Sequence, residues 1–356
     1  MDNTKRIAIL CNYELLPERV GGMDYFFWQF DANCKLNSIQ VDWFFPNKAT
    51  HGQYSTMIIN SSNGQAIESF FLDYCQKNQI AYSHVVTHFI ELCTPFFYKL
   101  SKISKAKVIG VDHNPRPLNG YALKKKIEKK VKGILFSKYI DLFVGVSEAS
   151  KNDLISDFGF HIKGKAKVIF NGLNFNQFII KKDFQSSNKF IIACHLRKEK
   201  GVQDVIEAIK KLNNFDFTIA IYGEGNYESV LREMVQKYSL DKIITFKGSV
   251  ANLFEIYSQY DYLIHPSHGE TFCYSVVESL LCQLPVITTR HQGNVLGLVT
   301  DNINGFLFDE VDIDGLTTII KNILMDKSAI NNWCNTPALS HFSLDKMVQN
   351  HLQLVL

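Results

Sequence analysis

Short apolar runs rich in Val, Ile, Leu and Phe recur along the chain, separated by stretches whose apolar positions return every three or four residues. Near-continuous apolar runs predict strands buried on both faces, and the helical period between them predicts the covering helices. In the first half the runs predict strands at Arg6–Cys11, Gln40–Phe45, Thr56–Asn60, His84–Thr87, Lys107–Asp112, Asp141–Val146 and Lys167–Phe170. In the second half they predict Lys189–His195, Asp216–Tyr222, Lys242–Phe246, Tyr262–His265, Val286–Thr289 and Gly305–Phe308. The polar stretch Asn171–Asn188 reads as a linker. The pattern implies an α/β protein of two doubly wound, Rossmann-like domains facing across a cleft, with ligand at the carboxyl ends of the strands. Residues 1–175 form the first and 176–340 the second; the last amphipathic stretch, in 341–356, is expected to pack back on the first.

A chain of 356 residues suits two hydrophobic cores better than one. Apolar residues at 46% and charged residues at 21% are those of a folded globular protein and exclude a disordered one. There is no apolar run of the ~18 residues that a membrane span needs. The start, MDNTKR, leads directly into the strand-like IAILC, which does not fit a signal peptide. Eight cysteines are scattered through apolar runs without a C-x-x-C pair, as expected of reduced core thiols in the cytoplasm.

Charge is uneven. Residues 1–175 hold 22 Lys and Arg against 15 Asp and Glu, and residues 176–356 hold 16 against 20. Six lysines (124, 125, 126, 129, 130 and 132) fall in one segment where Leu123, Ile127, Val131 and Ile134 repeat at near-helical spacing. This is a basic amphipathic helix, read either as a solvated face or as a dock for an anionic membrane. Nucleic acid is a poor fit, because no aromatic residues interleave with the lysines as a stacking platform.

The candidate chemistry is densest in HPSHGETFCYSVVESLLCQLPVI, from His265 to Ile287. It reads as strand, polar turn, helix and strand, with Glu270 at the helix mouth and Glu278 about two turns further, ~12 Å along a continuous helix. A helix start offers free N–H groups to phosphate, and carboxylates accept from hydroxyls. The layout fits a nucleotide sugar: sugar at Glu270, diphosphate over the helix start, ribose at Glu278. The same eight-residue spacing at Glu199 and Glu207 reads as solvated helix charge. His195, Arg197, Lys198 and Lys200 cluster after another strand, where they can neutralise a diphosphate. Residues 195 and 197 share strand parity and are expected to face one space. Gly21 and Gly22 open a helix after the first strand, where backbone N–H groups can approach a phosphate. Gly223-Glu224-Gly225 lacks the third glycine of a dinucleotide fingerprint. His113 ends a strand where site residues belong, whereas His84, His88 and His265 read as interior histidines. Asp312 and Asp314 read as helix-capping residues and not as manganese ligands.

Taken in order, VIFNGLNFNQF, the loop ending in Lys200-Gly201, YGEG, ITFKGSV, YDYLIHPS, ETFCYSVVE, LPVI and NGFLF resemble the family 4 retaining glycosyltransferases of the GT-B fold, of the type that assembles bacterial glycans. The resemblance implies that Glu270 and the Thr271–Cys273 segment hold the transferred sugar, with N–H groups of Phe272 and Cys273 helping. It implies that Glu278 holds the ribose, Lys200 neutralises the diphosphate, and the Gly21-Gly22 loop closes over it. His113 is placed near the reacting centre and Val250 near the base. His195 stands where the family usually has Arg, with Arg197 as the other candidate for that charge. Cys273 stands in place of a common Gly, and Asn294 and Gly297 in place of a Gly and a Glu.

The expected reaction moves a sugar with retention from a UDP- or GDP-linked donor to a glycan hydroxyl, lipid-linked or on a surface polysaccharide or lipopolysaccharide. No metal or resident cofactor is expected. No second carboxylate is placed as a nucleophile, which favours a front-face reaction through an oxocarbenium-like state. The chain is expected in the cytoplasm, peripheral to the inner face of the membrane. Two rivals are a nucleotide-sugar epimerase, which needs no acceptor, and a silent sugar-nucleotide-binding protein of the same fold.

Overall fold

The computed structural model describes residues 5–17, 20–117, 120–182, 188–212, 214–250, 252–325, 330 and 337–356. Cys334 and residues 183–187 of the sequence-predicted linker lie outside the described residues. The chain divides into two compact units, Met1–Leu173 with His341–Leu356, and Asn174–Ser340.

The first unit has a seven-stranded, all-parallel sheet: β1 (Lys5–Cys11), β2 (Ile39–Phe45), β3 (Ile58–Ser61), β4 (His84–His88), β5 (Lys107–Asp112), β6 (Leu142–Gly145) and β7 (Ala166–Val168). Their order across the sheet is β3-β2-β1-β4-β5-β6-β7, so the winding reverses between β1 and β4. Alternation along each strand feeds both faces. Ala8, Leu10 and Phe44 pack with Phe71, Phe97 and Leu100 from the helices Ile67–Asn78 and Pro95–Ile103. The neighbouring positions serve the Gly22–Leu36 helix, whose Phe27 ring meets Trp43 and Phe45 at 5.4 Å each. The C-terminal helix Leu344–Val355 lies beside that helix, with His351 against Phe26 at 4.7 Å. Paired bonds tie it in: Leu173 N–H to Phe342 O and Leu344 N–H to Leu173 O, 2.9 Å each.

The second unit has a six-stranded parallel sheet: β8 (Lys189–Ala193), β9 (Thr218–Tyr222), β10 (Ile244–Gly248), β11 (Tyr262–His265), β12 (Val286–Thr289) and β13 (Gly305–Phe308). Its order, β10-β9-β8-β11-β12-β13, reverses between β8 and β11. Phe190, Ile192, Val205, Ile206, Ile264 and Ile320 belong to its buried core. Asp312 caps the Ile313–Leu324 helix through Gly315 N–H at 2.9 Å, and exposed Asp314 pairs with Lys211 at 3.3 Å.

Several strand ends depart from the sequence pattern: the seventh strand ends at Val168, not Phe170, the ninth starts at Thr218, not Asp216, and three others shift as well. The third strand starts at Ile58, not Thr56, because Tyr54–Thr56 forms a tight turn that buries Tyr54 with its hydroxyl on Asp24, 2.6 Å away. The eighth stops at Ala193, not His195. There Gly223 and Gly225 press so closely that a Cβ on either would lie 1.9 Å from Cys194 O or 2.2 Å from Leu196 O. The tenth is displaced to Ile244–Gly248 and carries a register shift between Phe246 and Gly248.

Candidate active site

In an open parallel sheet the crevice for a ligand lies beyond the carboxyl ends of the two strands flanking the reversal. In the second unit those strands are β8 and β11, and they deliver the loops carrying Lys200 and Glu270. The loops are laced together. His268 N–H donates to Glu199 O at 3.0 Å, and His268 Nε2 pairs with Asp204 Oδ2 at 2.6 Å. Gly201 adopts φ +69°, and a Cβ there would lie 2.1 Å from Pro266 O, so only glycine seats one loop on the other.

This lacing brings Lys200 Nζ onto Glu270 Oε1, with the two side chains only 18% and 14% exposed. His265 Nε2 stands 3.5 Å from the same oxygen. Burial alone would raise the Glu270 carboxyl, but His265 and Lys200 overcome it and hold it down at about 2. Burial pulls the Lys200 ammonium down, and Glu270 more than restores it, so it is raised. The result is a fixed carboxylate and a fixed ammonium in one half-dry place: an acceptor for hydroxyls beside a counter-charge for phosphate.

Behind Glu270 lies a support that the sequence reading did not single out. Gly293 packs so tightly that its Cβ would lie 1.6 Å from Glu270 O. Asn294, noted only as a departure, is buried and donates to Ser267 O at 2.7 Å and to Thr289 Oγ1 at 2.5 Å. This anchoring alters the expected geometry. The helix starts at Tyr274, not at Glu270, because the Thr271–Cys273 segment bends to meet the Gly293 turn. The ~12 Å estimate along one continuous helix therefore does not apply. Cys273 N–H, expected to face the sugar, donates to Gly293 O at 3.2 Å. Glu278 lies on the Tyr274–Leu281 helix and accepts from the Tyr257 hydroxyl at 2.7 Å; burial raises its carboxyl, with that bond pulling the other way.

The remaining second-unit candidates make contacts of their own. Because β8 ends at Ala193, His195 and Arg197 do not share strand parity. Nδ1 of His195 donates to Glu224 O at 2.6 Å, while Arg197 is exposed, 4.0 Å from Glu199. Val250 is exposed, next to Ser249, whose N–H donates to Glu224 Oε1 at 3.2 Å.

In the first unit the reversal lies between β1 and β4. Gly21 and Gly22 begin the helix after β1, and buried Asp24 closes that start by accepting from Gly21 N–H at 2.9 Å. Tyr13 and Tyr54 hydroxyls donate to the same carboxylate at 3.2 and 2.6 Å. His113, just after β5, is buried, and its Nε2 meets His88 Nδ1 at 3.0 Å. Phe89 stacks on His113 at 4.2 Å, and His351 stacks on His88 at 5.9 Å. Burial holds His113 down at about 3 and His351 at about 4, so both are neutral near pH 7. His88 was read as an interior histidine; its place at the end of β4, one strand from His113, was the available signal of partnership.

Lys129 differs from the sequence expectation. It is buried and pairs with Asp157 at 3.1 Å, so it is not part of an exposed basic face. Lys125 and Lys132 pair with Glu128 at 3.0 and 2.8 Å. No group of three or more His, Cys, Asp or Glu able to hold a metal occurs among the described residues.

Residues 175–336 match the family model described as glycosyl transferases group 1. An uncharacterised glycosyltransferase of Methanocaldococcus jannaschii is 27% identical over 278 residues, covering 68% of this chain and 76% of that protein. Together these findings support a glycosyltransferase. The Campylobacter jejuni enzyme named N-acetylgalactosamine-N,N'-diacetylbacillosaminyl-diphospho-undecaprenol 4-alpha-N-acetylgalactosaminyltransferase is 24% identical, over 65% of this chain and 64% of its own length. The structure of Anabaena HepE in complex with UDP and glucose superposes with a TM-score of 0.74 over 98% of both chains at 17% identity. That likeness establishes the fold: the chain has the two parallel-sheet, Rossmann-like domains of GT-B.

Proposed function

We propose that the chain is a retaining, metal-independent glycosyltransferase that moves a sugar from a nucleotide-sugar donor to a glycan hydroxyl. The observation that carries this reading is the Lys200–Glu270 pair, with His265 behind it, at the β8/β11 reversal. Glu270 holds the hydroxyls of the departing sugar, and Lys200, with His195 or Arg197, neutralises the diphosphate as charge builds on it. Glu278 takes the ribose, Val250 lies along the base, and the Gly21-Gly22 start closes over the phosphates. His113 serves the acceptor. The bond from the anomeric carbon to the phosphate oxygen breaks, the bond to the acceptor oxygen forms, and the leaving phosphate takes the acceptor's proton.

Residues 176–340 then hold the donor and residues 1–175 the acceptor. The UDP in the HepE structure supports UDP-linked sugars as the first donors to test. The diphospho-undecaprenol in the Campylobacter relative's name supports a lipid-linked glycan as acceptor, met at the cytoplasmic face of a membrane. The transferase names of these relatives do not favour the epimerase or the silent binder. The test is incubation with UDP- and GDP-linked sugars and a lipid-linked glycan in chelator, with the anomeric coupling of the product read by proton NMR. A product with the donor's anomeric configuration is expected. An inverted product, or turnover only after manganese is added, contradicts the reading.

A further inference from the structure

The helix Leu123–Phe136 is built inside out. At ~100° per residue, Leu123, Ile127, Val131, Ile134 and Leu135 fall within about a third of its circumference. In a solvated surface helix that stripe faces the core. Here the five side chains are 74%, 55%, 47%, 69% and 52% exposed, and the buried positions are Lys129 and Gly133. The packing explains the orientation. A Cβ on Gly133 would lie 2.1 Å from Phe158 O, so the helix approaches the last turn of the Glu148–Phe158 helix through its glycine. Lys129 reaches inward to Asp157, its ammonium lying 4.8 Å from the Tyr121 ring centre and 5.2 Å from that of Phe158.

The outward face has a consistent charge. Lys126 and Lys130 border the apolar stripe on one side and Lys124 lies within it, all three exposed and without a carboxylate partner among the described residues. The helix's one acid, Glu128, is neutralised by Lys125 and Lys132. Near the end of the helix, where Ser137 bonds His161 at 2.9 Å, Phe160 is 73% exposed with Lys163 against its ring at 4.9 Å. An exposed apolar stripe edged and interrupted by cations is matched by a bilayer interface: acyl chains for the stripe, anionic headgroups for the lysines. No helix among the described residues is long and apolar enough to cross a membrane, so contact is from one side.

We infer that this helix lies in the interfacial plane of an anionic lipid bilayer, with Leu123, Ile127, Val131, Ile134 and Leu135 below the headgroups and Lys124, Lys126 and Lys130 at their level. This deepens the reading of a lipid-linked acceptor and rests on it only for the purpose of the contact. Attachment is apolar first and electrostatic second, the reverse of what a lysine cluster on a solvated face would give.

The test is sedimentation of the full chain with vesicles of equal parts phosphatidylglycerol and phosphatidylcholine, at low and high salt. Ile127→Glu with Ile134→Glu should lower partitioning at least ~10-fold at both salts, because charges replace buried apolar groups. Replacing Lys124, Lys126 and Lys130 by Ser should lower it by a similar ~10-fold or more at low salt only. Val131→Trp should blue-shift its emission on binding. Since these positions are exposed, the thermal midpoint of each variant should match the parent, which controls for folding. Vesicle binding is read without any donor, so a failed transfer reaction leaves this result standing. Unchanged binding by the Ile127/Ile134 variant overturns the proposal. So does binding abolished by the lysine replacements at both salts, or a wild-type self-association that the Ile127/Ile134 variant removes while vesicle binding persists.

Discussion

The two units of this chain present the same kind of place, the reversal of a parallel sheet, with different electrostatics. At β8/β11 a carboxylate and an ammonium are locked together by glycines and loop-to-loop bonds. At β1/β4 and the neighbouring β5, neutral histidines set among phenylalanines lie together, while the Asp24 carboxylate is taken up by Gly21 N–H and two tyrosine hydroxyls and Asp112 by Arg116. On the proposed reading a diphosphate and a ring of hydroxyls make fixed demands on charge, which would explain why the second unit carries residue types that can be read by kind and order. The acceptor proposed for the first unit makes no such uniform demand, and that unit has an aromatic core. The family match follows the same line, covering residues 175–336 and leaving the first unit outside.

The sharpest way to break the comparison is to remove the charge from one side only. Glu270→Gln should cost about a hundred- to a thousandfold in sugar transfer, the scale of losing a directed polar contact in a closed site. It also leaves Lys200 without its carboxylate partner. A silent binder would keep its function, so transfer rate measured beside the thermal midpoint separates the two.

Acid should part the units in order. His113 and His351 bind a proton at 6.5 when unfolded but only at about 3 and about 4 when folded. The unfolded chain therefore holds more protons below 6.5, and the stability they allow is present above that value and lost as pH falls. Each costs about 1.4 kcal/mol per pH unit in that window. Glu270 behaves in the opposite chemical sense at lower pH. Its carboxyl is depressed from 4.5 to about 2, so its contribution is present above 4.5 and disappears as pH falls from there to about 2. Hydrogen exchange followed down the pH scale should open amides around β4 and the C-terminal helix before those around β8 and β11. Simultaneous opening would contradict the contrast.

The smallest expected effect compares two glycines. Gly293→Ala must push a Cβ against Glu270 O and should destabilise by about 1–3 kcal/mol, with transfer falling alongside. Gly21→Ala meets nothing within 4 Å at φ −148°, so its cost should stay under about 1 kcal/mol, the loss of a better helix cap. If transfer nevertheless drops, the loss belongs to phosphate approach and not to folding. Thermal melts and initial rates on both variants decide.

The architecture was legible because strand periodicity survives in buried parallel sheets: Tyr262–His265, Val286–Thr289 and Gly305–Phe308 emerge with the bounds that their apolar runs predict. Strand ends were less legible where a backbone approach, such as Gly223 against Cys194 O, stops pairing that hydrophobicity would allow. Glu270 and Lys200 could be picked out by type and position, but their mutual contact is long-range. Asn294 and Gly293 act from behind the loop, where no local pattern announces them. The Leu123–Phe136 helix taught the opposite lesson. Its period was plain, yet the face it buries is decided by Gly133 and Lys129, residues that a hydrophobic pattern counts as the wrong side.

The most direct test of the central claim, that the Lys200–Glu270 pair at β8/β11 is a nucleotide-sugar site, is thermal unfolding with UDP, GDP, ADP and CMP in chelator, for the parent chain and Lys200→Ala. A nucleotide at ~100 times its dissociation constant adds about 2.7 kcal/mol, a rise of a few degrees for a chain of this size. One nucleotide raising the parent midpoint, and losing most of that rise in Lys200→Ala, is the expected result. No rise with any nucleotide, or an equal rise in the variant, would show that the pair is not the donor site.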